Sequence, residues 1–139
     1  MINPAVSIEA LQAMSKGTMM EHIGIEITRI GESSIEARMP VDHRTHQPYG
    51  LLHGGASMVL AETLGSVASH CTLTDSSKYC VGLEINANHI RSVRSGFVIG
   101  VASPIHLGRS TQVWEIRISN EQKELVCISR ITMAIVDKR

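Results

Sequence analysis

The sequence predicts a single α+β domain in which an antiparallel sheet wraps around one long helix. A proline-free helical pattern covers residues 55–71, and strand-like segments joined by short turns lie on both sides of it. The 139 residues suffice for one domain, and no linker, repeat or low-complexity stretch divides 1–139. Hydrophobic residues make up 43% of the chain and charged residues 19%, which is typical of globular proteins and excludes a disordered chain.

Charge and cysteine usage indicate where the protein works and what it binds. Lys and Arg number 13, as do Asp and Glu, so neither nucleic acid nor an anionic membrane is expected as the main partner. Apolar runs are far shorter than the ~20 residues of a membrane helix. The first ten residues lack a secretory pattern, and Cys71, Cys80 and Cys127 form no CxxC pair. We therefore expect a cytoplasmic protein with reduced thiols, one reactive cysteine being the alternative.

The first part of the chain predicts two short helical segments and a hairpin. Ser7 can cap a short helix, and a second turn covers residues 19–22. Residues 24–29 and 34–39 alternate between apolar and polar. This pattern predicts two strands that are joined by a turn at 31–33 and form a hairpin with one solvent-exposed face.

The rest of the chain predicts a loop, the long helix and four strands. The loop at 41–52 is long and irregular, so we expect it to carry function. Gly65 costs the helix about 1 kcal/mol relative to alanine, which is tolerated if a wrapping sheet approaches it closely. Only four residues are aromatic, so we expect an aliphatic core. The strands, predicted to form an antiparallel meander, are 79–91, 96–106, 112–119 and 125–136.

One helix cannot cover both faces of such a sheet. We therefore expect the sheet to curl around the helix, and its bare face and edge strand to meet a second copy of the chain.

Three residues of the helix form the first candidate site. Gly55 lies in the first turn, where unpartnered N–H groups can hold a polarised carbonyl or an oxyanion. Glu62 follows about two turns later on the same face, and burial would raise its pKa toward the range of a general base. Ser66 lies one further turn along. The alternatives are a structural glycine turn, a solvated glutamate and a small packing serine.

Distance along the helix limits how these residues can cooperate. Seven residues rise about 10.5 Å, so one carbonyl cannot easily touch both Gly55 and Glu62 of the same helix. We therefore expect an active site between two chains.

The loop before the helix adds Gln47 and His53, whose N–H groups can help to hold a carbonyl. His43, His46 and His53 fall close together, but they lie in a loop and no cysteine or glutamate completes a ligand set. We therefore expect neither a metal nor a cofactor.

Basic residues at two strand ends form a candidate anion site. Arg91 and Arg94 follow the first long strand, and Arg109 follows Gly108 in a turn. Together they suit an anionic group attached to a buried acyl chain, and the alternative is that each is a solvated strand end.

The catalytic region resembles a known family. Residues 48–57 read PYGLLHGGAS and residues 60–66 read LAETLGS, a combination similar to the hotdog-fold acyl-CoA thioesterases with a helical glutamate. This group is related to the phenylacetic-acid-pathway and 4-hydroxybenzoyl-CoA thioesterases. Residues 81–89 and 104–108 also match, and the resemblance covers about residues 18–136. Within the family, these residues look most like the thioesterases that hydrolyse 1,4-dihydroxy-2-naphthoyl-CoA in menaquinone synthesis. The proofreading thioesterases of enterobactin synthesis are nearly as similar.

The resemblance implies a fold, an assembly and a reaction. The fold is the hotdog fold, in which a curled antiparallel sheet wraps around the helix at about 55–71. The assembly is a homodimer, paired edge to edge, that forms a homotetramer. The reaction is hydrolysis of a thioester to a free acid and a thiol.

The resemblance also assigns roles to residues. Glu62 is the catalytic carboxylate, acting as general base or nucleophile, and the Gly55 N–H polarises the thioester carbonyl. Gln47 and His53 orient the thioester, and Ser66 positions Glu62 or the water. Candidates for the acyl pocket are Met58, Val67 and His70. The residues implied to hold CoA are Gly82, Asn88, His89, Ile90, Arg91, His106, Leu107, Gly108, Arg109 and Ser110.

The expected function is therefore hydrolysis of aromatic or medium-chain acyl-CoA. The alternatives are a proofreading thioesterase on an aryl or acyl carrier protein, a hotdog hydratase using His53, a non-catalytic acyl-CoA-binding module and a structural oligomer. A methylene in an apolar pocket is worth only about 1–3 kcal/mol, so we expect broad acyl acceptance.

Overall fold

In the computed structural model, which describes residues 1–138, six antiparallel strands enclose one long helix. Along the chain the elements are α1 (Ile8–Met14), α2 (Met19–Ile23), β1 (Glu26–Ile30), β2 (Ile35–Pro40), α3 (Gly54–Cys71), β3 (Lys78–His89), β4 (Phe97–Leu107), β5 (Thr111–Asn120) and β6 (Leu125–Asp137). The strands lie side by side in the order β1-β2-β4-β5-β6-β3. Because α3 contacts β2, β3, β4, β5 and β6, the predicted curled sheet around the helix is confirmed.

The predicted local elements are confirmed with small shifts of their ends. The Ser7 hydroxyl accepts a hydrogen bond from the Ala10 N–H at 3.2 Å and so caps α1. The hairpin of β1 and β2 is antiparallel, with Ile27 and Ile35 among its buried side chains. The long helix starts at Gly54, one residue earlier than predicted.

The predicted meander is wrong for β3, which pairs with β6 and not with β4. After β3 the Ile90 N–H still donates to the Val126 carbonyl, and the chain then crosses to the opposite side, where the Val41 N–H donates to the Gly96 carbonyl. Three strand spacings amount to about 14 Å, which six or seven extended residues can span. The short connection between β3 and β4 therefore does not require these two strands to be neighbours in the sheet.

The long helix lies directly against the sheet because glycine occupies the contact points. Leu60, Ala61 and Leu64 are fully buried on the inner face of α3. A side chain added at Gly65 would overlap Ile131 Cγ2, so the expected close approach at this glycine is confirmed. Gly100 on β4 makes the matching space for Leu64.

The core also holds the single tryptophan, which the expectation of an aliphatic core missed. Trp114 is fully buried, and its indole N–H donates to Gln112 Oε1 at 2.9 Å. Gln112 Nε2 in turn donates to the hydroxyl of Thr72, the C-cap of α3, at 2.8 Å. Both polar groups are thus satisfied, and the end of α3 is tied to β5.

The two edges of the sheet differ in how they are covered. At β1, Gln12 of α1 accepts from the Ile27 N–H at 3.0 Å and thereby occupies a free backbone group of the edge. At β3, no described strand or helix pairs with the outer edge. Val81 and Leu83 on this strand are 38% and 61% exposed.

Replacement of Gly65 by alanine tests the close packing of α3. Helix propensity alone would stabilise the protein by about 1 kcal/mol. Overlap with Ile131 should dominate, so we expect a loss of about 1–3 kcal/mol in urea denaturation. A raised unfolding midpoint would contradict the contact. A control in the Ile131→Ala background, where the space is vacant, should show most of the loss removed.

Candidate active site

The loop before α3 is held firmly enough to position side chains. The Thr45 hydroxyl donates to the Pro40 carbonyl at 2.7 Å, and the His53 N–H donates to the Thr45 carbonyl at 2.8 Å. Both ends of the loop are therefore fixed to the sheet and to α3. Gln47 and His53 are presented from this scaffold.

The N-terminus of α3 is capped by its own histidine. The Gly55 N–H donates to His53 Nδ1 at 2.7 Å, and both residues are exposed. Because the amide is the donor, Nδ1 is the acceptor, and a neutral ring carries its hydrogen on Nε2. A carbonyl oxygen that binds this N–H must therefore displace the imidazole.

A cleft of about 330 Å³, here called the N-terminal cleft, lies beside this helix end. Gln47 lines it, and Gln47 Oε1 accepts from the Tyr49 N–H, which leaves the Nε2 amide as the available donor. His89 lies against Gly54, where an added Cβ would be 2.8 Å from His89 Nε2. The complete lining is Gln47, Leu51, Leu52, Gly54, Ser57, His89, Ile90, Arg91, Ser92 and Val126.

The N-terminal cleft thus joins two sets of residues that are distant in sequence. The loop residue Gln47 and the helix end meet the segment from His89 to Arg91, which the resemblance assigns to CoA.

Glu62 is half-buried and faces β3. A Cβ added to Gly82 would lie 2.5 Å from Glu62 Oε1, so the carboxyl group rests against the backbone of that strand. Burial raises the pKa of Glu62 above its ordinary value of 4.5. No donor among residues 1–138 binds this carboxyl group, so it is available to accept a proton.

A second cavity of about 390 Å³, here called the methionine pocket, begins one turn beyond Glu62. Ser66 lines it and makes no hydrogen bond to Glu62 in the described chain. Val67 and His70 also line it, whereas Met58 does not. The complete lining is Leu11, Met14, Thr18, Met19, Met20, Ser66, Val67, His70 and Cys80, a mainly apolar and adaptable set.

The second segment assigned to CoA lies at the opposite end of α3. Gly108 and Arg109 line a cleft of about 250 Å³ together with Thr72, the C-cap of α3. His89 lies at the N-terminus of the same helix, and 18 residues of helix span about 27 Å. Within one protomer the two segments are therefore far apart.

The structure reveals two neighbours that the sequence analysis missed. They are His89 against Gly54 and Gly82 against Glu62. The second had a detectable signal, because glycine inside a strand often marks a bulge or a close approach.

The histidine-rich loop is engaged in other contacts. The Asp42 carboxylate binds the Arg44 guanidinium at 2.7 Å, which lowers the pKa of Asp42 to about 2. His46 Nε2 lies 2.9 Å from the Arg94 carbonyl. Within residues 1–138, no three His, Cys, Asp or Glu side chains are grouped to hold a metal ion. None of the helices in that range has the length and apolar character needed to cross a membrane.

Comparisons with known proteins place the chain in a family. A family model described as the thioesterase superfamily matches residues 49–127. The 1,4-dihydroxy-2-naphthoyl-CoA hydrolase of Escherichia coli (strain K12) is 53% identical over 131 residues, which cover 94% of this chain and 96% of that protein. The proofreading thioesterase EntH of Cronobacter turicensis is 55% identical over 131 residues, covering 94% and 95%.

A solved structure is similar over nearly the whole chain. The crystal structure of a mutant thioesterase from Pseudomonas aeruginosa matches with a TM-score of 0.96 at 50% identity. The match covers 99% of both chains.

Replacement of Glu62 by glutamine tests the burial of its charge. Because the folded state raises the pKa of Glu62, the ionised carboxylate costs stability at neutral pH. We expect Glu62→Gln to unfold at higher urea than wild type at pH 7. This advantage should shrink as the pH falls through the raised pKa and vanish below 4.5, where the wild-type carboxyl group is protonated in both states.

The control is Glu84→Gln, the same chemical change at an exposed carboxyl on β3. A stability difference between Glu62→Gln and wild type that does not change with pH would contradict the raised pKa.

Proposed function

The chain belongs to the thioesterase superfamily, and from that membership and the site geometry we propose that it hydrolyses acyl-CoA with Glu62 as the catalytic carboxylate. The observation that carries the proposal is the Glu62 carboxyl group. It is half-buried, has a raised pKa and is followed one turn later by the mainly apolar methionine pocket. A carboxylate with a raised pKa is a stronger base than an exposed one, and it is therefore suited to take a proton from water.

The reaction begins when the thioester carbonyl replaces His53 Nδ1 as acceptor of the Gly55 N–H. Gln47 Nε2 is the second available donor beside this helix end. Both donors favour the negative charge that develops on oxygen.

Glu62 then removes a proton from water, and the oxygen of that water bonds to the carbonyl carbon. The resulting tetrahedral species breaks its C–S bond, and the thiolate takes the proton back from Glu62. In the nucleophilic route, a Glu62 oxygen bonds to the carbonyl carbon, and the C–S bond breaks to release the thiolate and leave an anhydride. Water then cleaves the anhydride to the free acid and the Glu62 carboxylic acid, which gives its proton to the thiolate. Either route yields one acid and one thiol.

The CoA moiety is proposed to lie along the N-terminal cleft. His89 and Arg91 line this cleft, and the guanidinium of Arg91 is half exposed at 3.5 Å from Glu124. Arg91 can therefore exchange a weak surface ion pair for a phosphate.

We infer that the working site is shared by two chains. Gly55 and Glu62 are about 10.5 Å apart along α3, too far for one carbonyl to contact both easily. The segments at His89 and at Gly108 lie at opposite ends of the same helix. A homodimer joined through the exposed edge of β3, and a homotetramer of two dimers, would bring such parts together.

The relatives favour an aromatic acyl group. One relative is a 1,4-dihydroxy-2-naphthoyl-CoA hydrolase, which makes a step of menaquinone biosynthesis a proposed place for this enzyme. The EntH relative favours a second candidate, proofreading of thioesters on an aryl carrier protein. Cys71, Cys80 and Cys127 are free thiols, as suits work in the cytoplasm.

Thiol release from benzoyl-CoA and a medium-chain acyl-CoA tests the reaction. We expect wild type to release thiol and Glu62→Gln to lose about 10²-fold or more in kcat, with KM little changed. Glu84→Gln is the matched control and should keep wild-type activity. A Glu62→Gln enzyme with activity within tenfold of wild type would remove Glu62 from its role. Thiol release from the same aryl group attached to a carrier protein compares CoA with the carrier protein as the thiol carrier.

Mixing two inactive variants tests the shared site. Glu62→Ala lacks the carboxylate, and Gly55→Val blocks the helix end. A heterodimer of the two contains one intact site if sites are shared, so about half of the wild-type activity should return. Each variant alone should stay near 1% of wild type. Purified heterodimers without recovery would mean that each chain builds its own site.

A further inference from the structure

Gly82 lies directly against the Glu62 carboxyl group. For a Cβ built on Gly82, the nearest atoms are Oε1, Cδ and Oε2 of Glu62, at 2.5, 3.6 and 3.9 Å. The backbone of Gly82 has no positive φ, unlike that of Gly17, Gly24 and Gly50. The backbone conformation therefore does not require glycine at this position. Glycine is required because Glu62 occupies the space that a side chain would need.

A β-bulge directly after Gly82 changes which residues of β3 face the helix. Gly82 pairs with Met133 and Glu84 pairs with Thr132, so Leu83 is the extra residue in β3. Before the bulge, Cys80 faces α3 and accepts a hydrogen bond from the Ser69 hydroxyl at 3.0 Å.

After the bulge, Ile85 and Ala87 pack against the core. Strict alternation would have turned Glu84 inward instead, at the cost of burying a second charge. The bulge thus lets one strand present Gly82 to the carboxylate and apolar residues to the core.

From this contact we propose that Gly82 is a positioning residue, whose missing side chain forms the seat of the Glu62 carboxyl group and sets its position. The inference rests on the proposed role of Glu62 in hydrolysis. It differs from the role that the resemblance implies for Gly82, a contact with CoA.

The contact distance gives the expected size of the effect. An ordinary van der Waals contact begins at 3.4 Å, so a Cβ at 2.5 Å would displace the carboxyl oxygen by about an ångström. A misplacement of about 1 Å can lower a rate by ~10²-fold. We expect Gly82→Ala to lose 10- to 100-fold in kcat on benzoyl-CoA, with KM within threefold of wild type.

Gly31→Ala is the matched control, since the three atoms nearest to its Cβ would all belong to Ser34 in the β1–β2 turn, and the nearest is the movable Ser34 hydroxyl at 2.7 Å. It should keep wild-type kcat. A Gly82→Ala enzyme with raised KM and normal kcat would assign Gly82 to CoA binding and overturn the proposal.

A double-mutant cycle with Glu62→Asp separates positioning from a general effect. Aspartate is one methylene shorter, so its carboxyl group withdraws from the added Cβ. In the Glu62→Asp background, Gly82→Ala should lower kcat by less than threefold. Equal losses in both backgrounds would overturn the proposal.

A stability cycle gives the answer whatever the activity of the variants. If the added methyl group meets Glu62, Gly82→Ala should lower the Tm in wild type and not in the Glu62→Ala background. A loss of Tm, or a failure to fold, in both backgrounds would overturn the contact. Should wild type hydrolyse no thioester, the proposed function fails, and this cycle still decides whether Gly82 seats Glu62.

Discussion

The rest of the structure depends on the close packing of α3 against the concave face of the sheet. Gly65 lies directly against Ile131, and Leu64 packs into the space left by Gly100, so the helix and the sheet are in close contact at both glycines. Dense packing of this kind fixes the rotation of the helix as well as its distance. With Leu60 and Leu64 turned inward, the face that carries Glu62 must turn toward the edge strand β3.

That orientation explains how one helix supplies several parts of a site. Gly55, Glu62 and Ser66 lie within about 40° of one another around the helix axis, at 100° per residue. They are outside the close-packed core, so a carboxylate is tolerated there with a raised pKa. The helix end is not left unpaired, because His53 Nδ1 accepts a hydrogen bond from the Gly55 N–H. In the proposed reaction, the substrate carbonyl would replace His53 Nδ1 as the acceptor of this N–H.

Local features of the fold were predictable because they depend on short-range chemistry. The Ser7 cap, the hairpin and the long helix follow from capping and periodicity, and Gly65 indicated close packing. The position of β3 was not predictable, because a seven-residue connection reaches either neighbouring or distant strands. The sequence predicted the element on which each site residue lies. It did not predict the Gly82–Glu62 contact, which lies beside a bulge that alternation alone does not reveal.

Strand β3 combines two tasks on its two faces. Its inner positions serve the site, since Gly82 seats Glu62 and His89 covers the start of α3. Its outer edge is open, whereas Gln12 covers the edge at β1. An open edge beside exposed Val81 and Leu83 is unfavourable in an isolated chain, because unpaired backbone groups and apolar side chains attract other strands. A second copy of the chain at this edge would remove that liability and bring its own helix toward Glu62, so assembly and completion of the site would depend on the same strand.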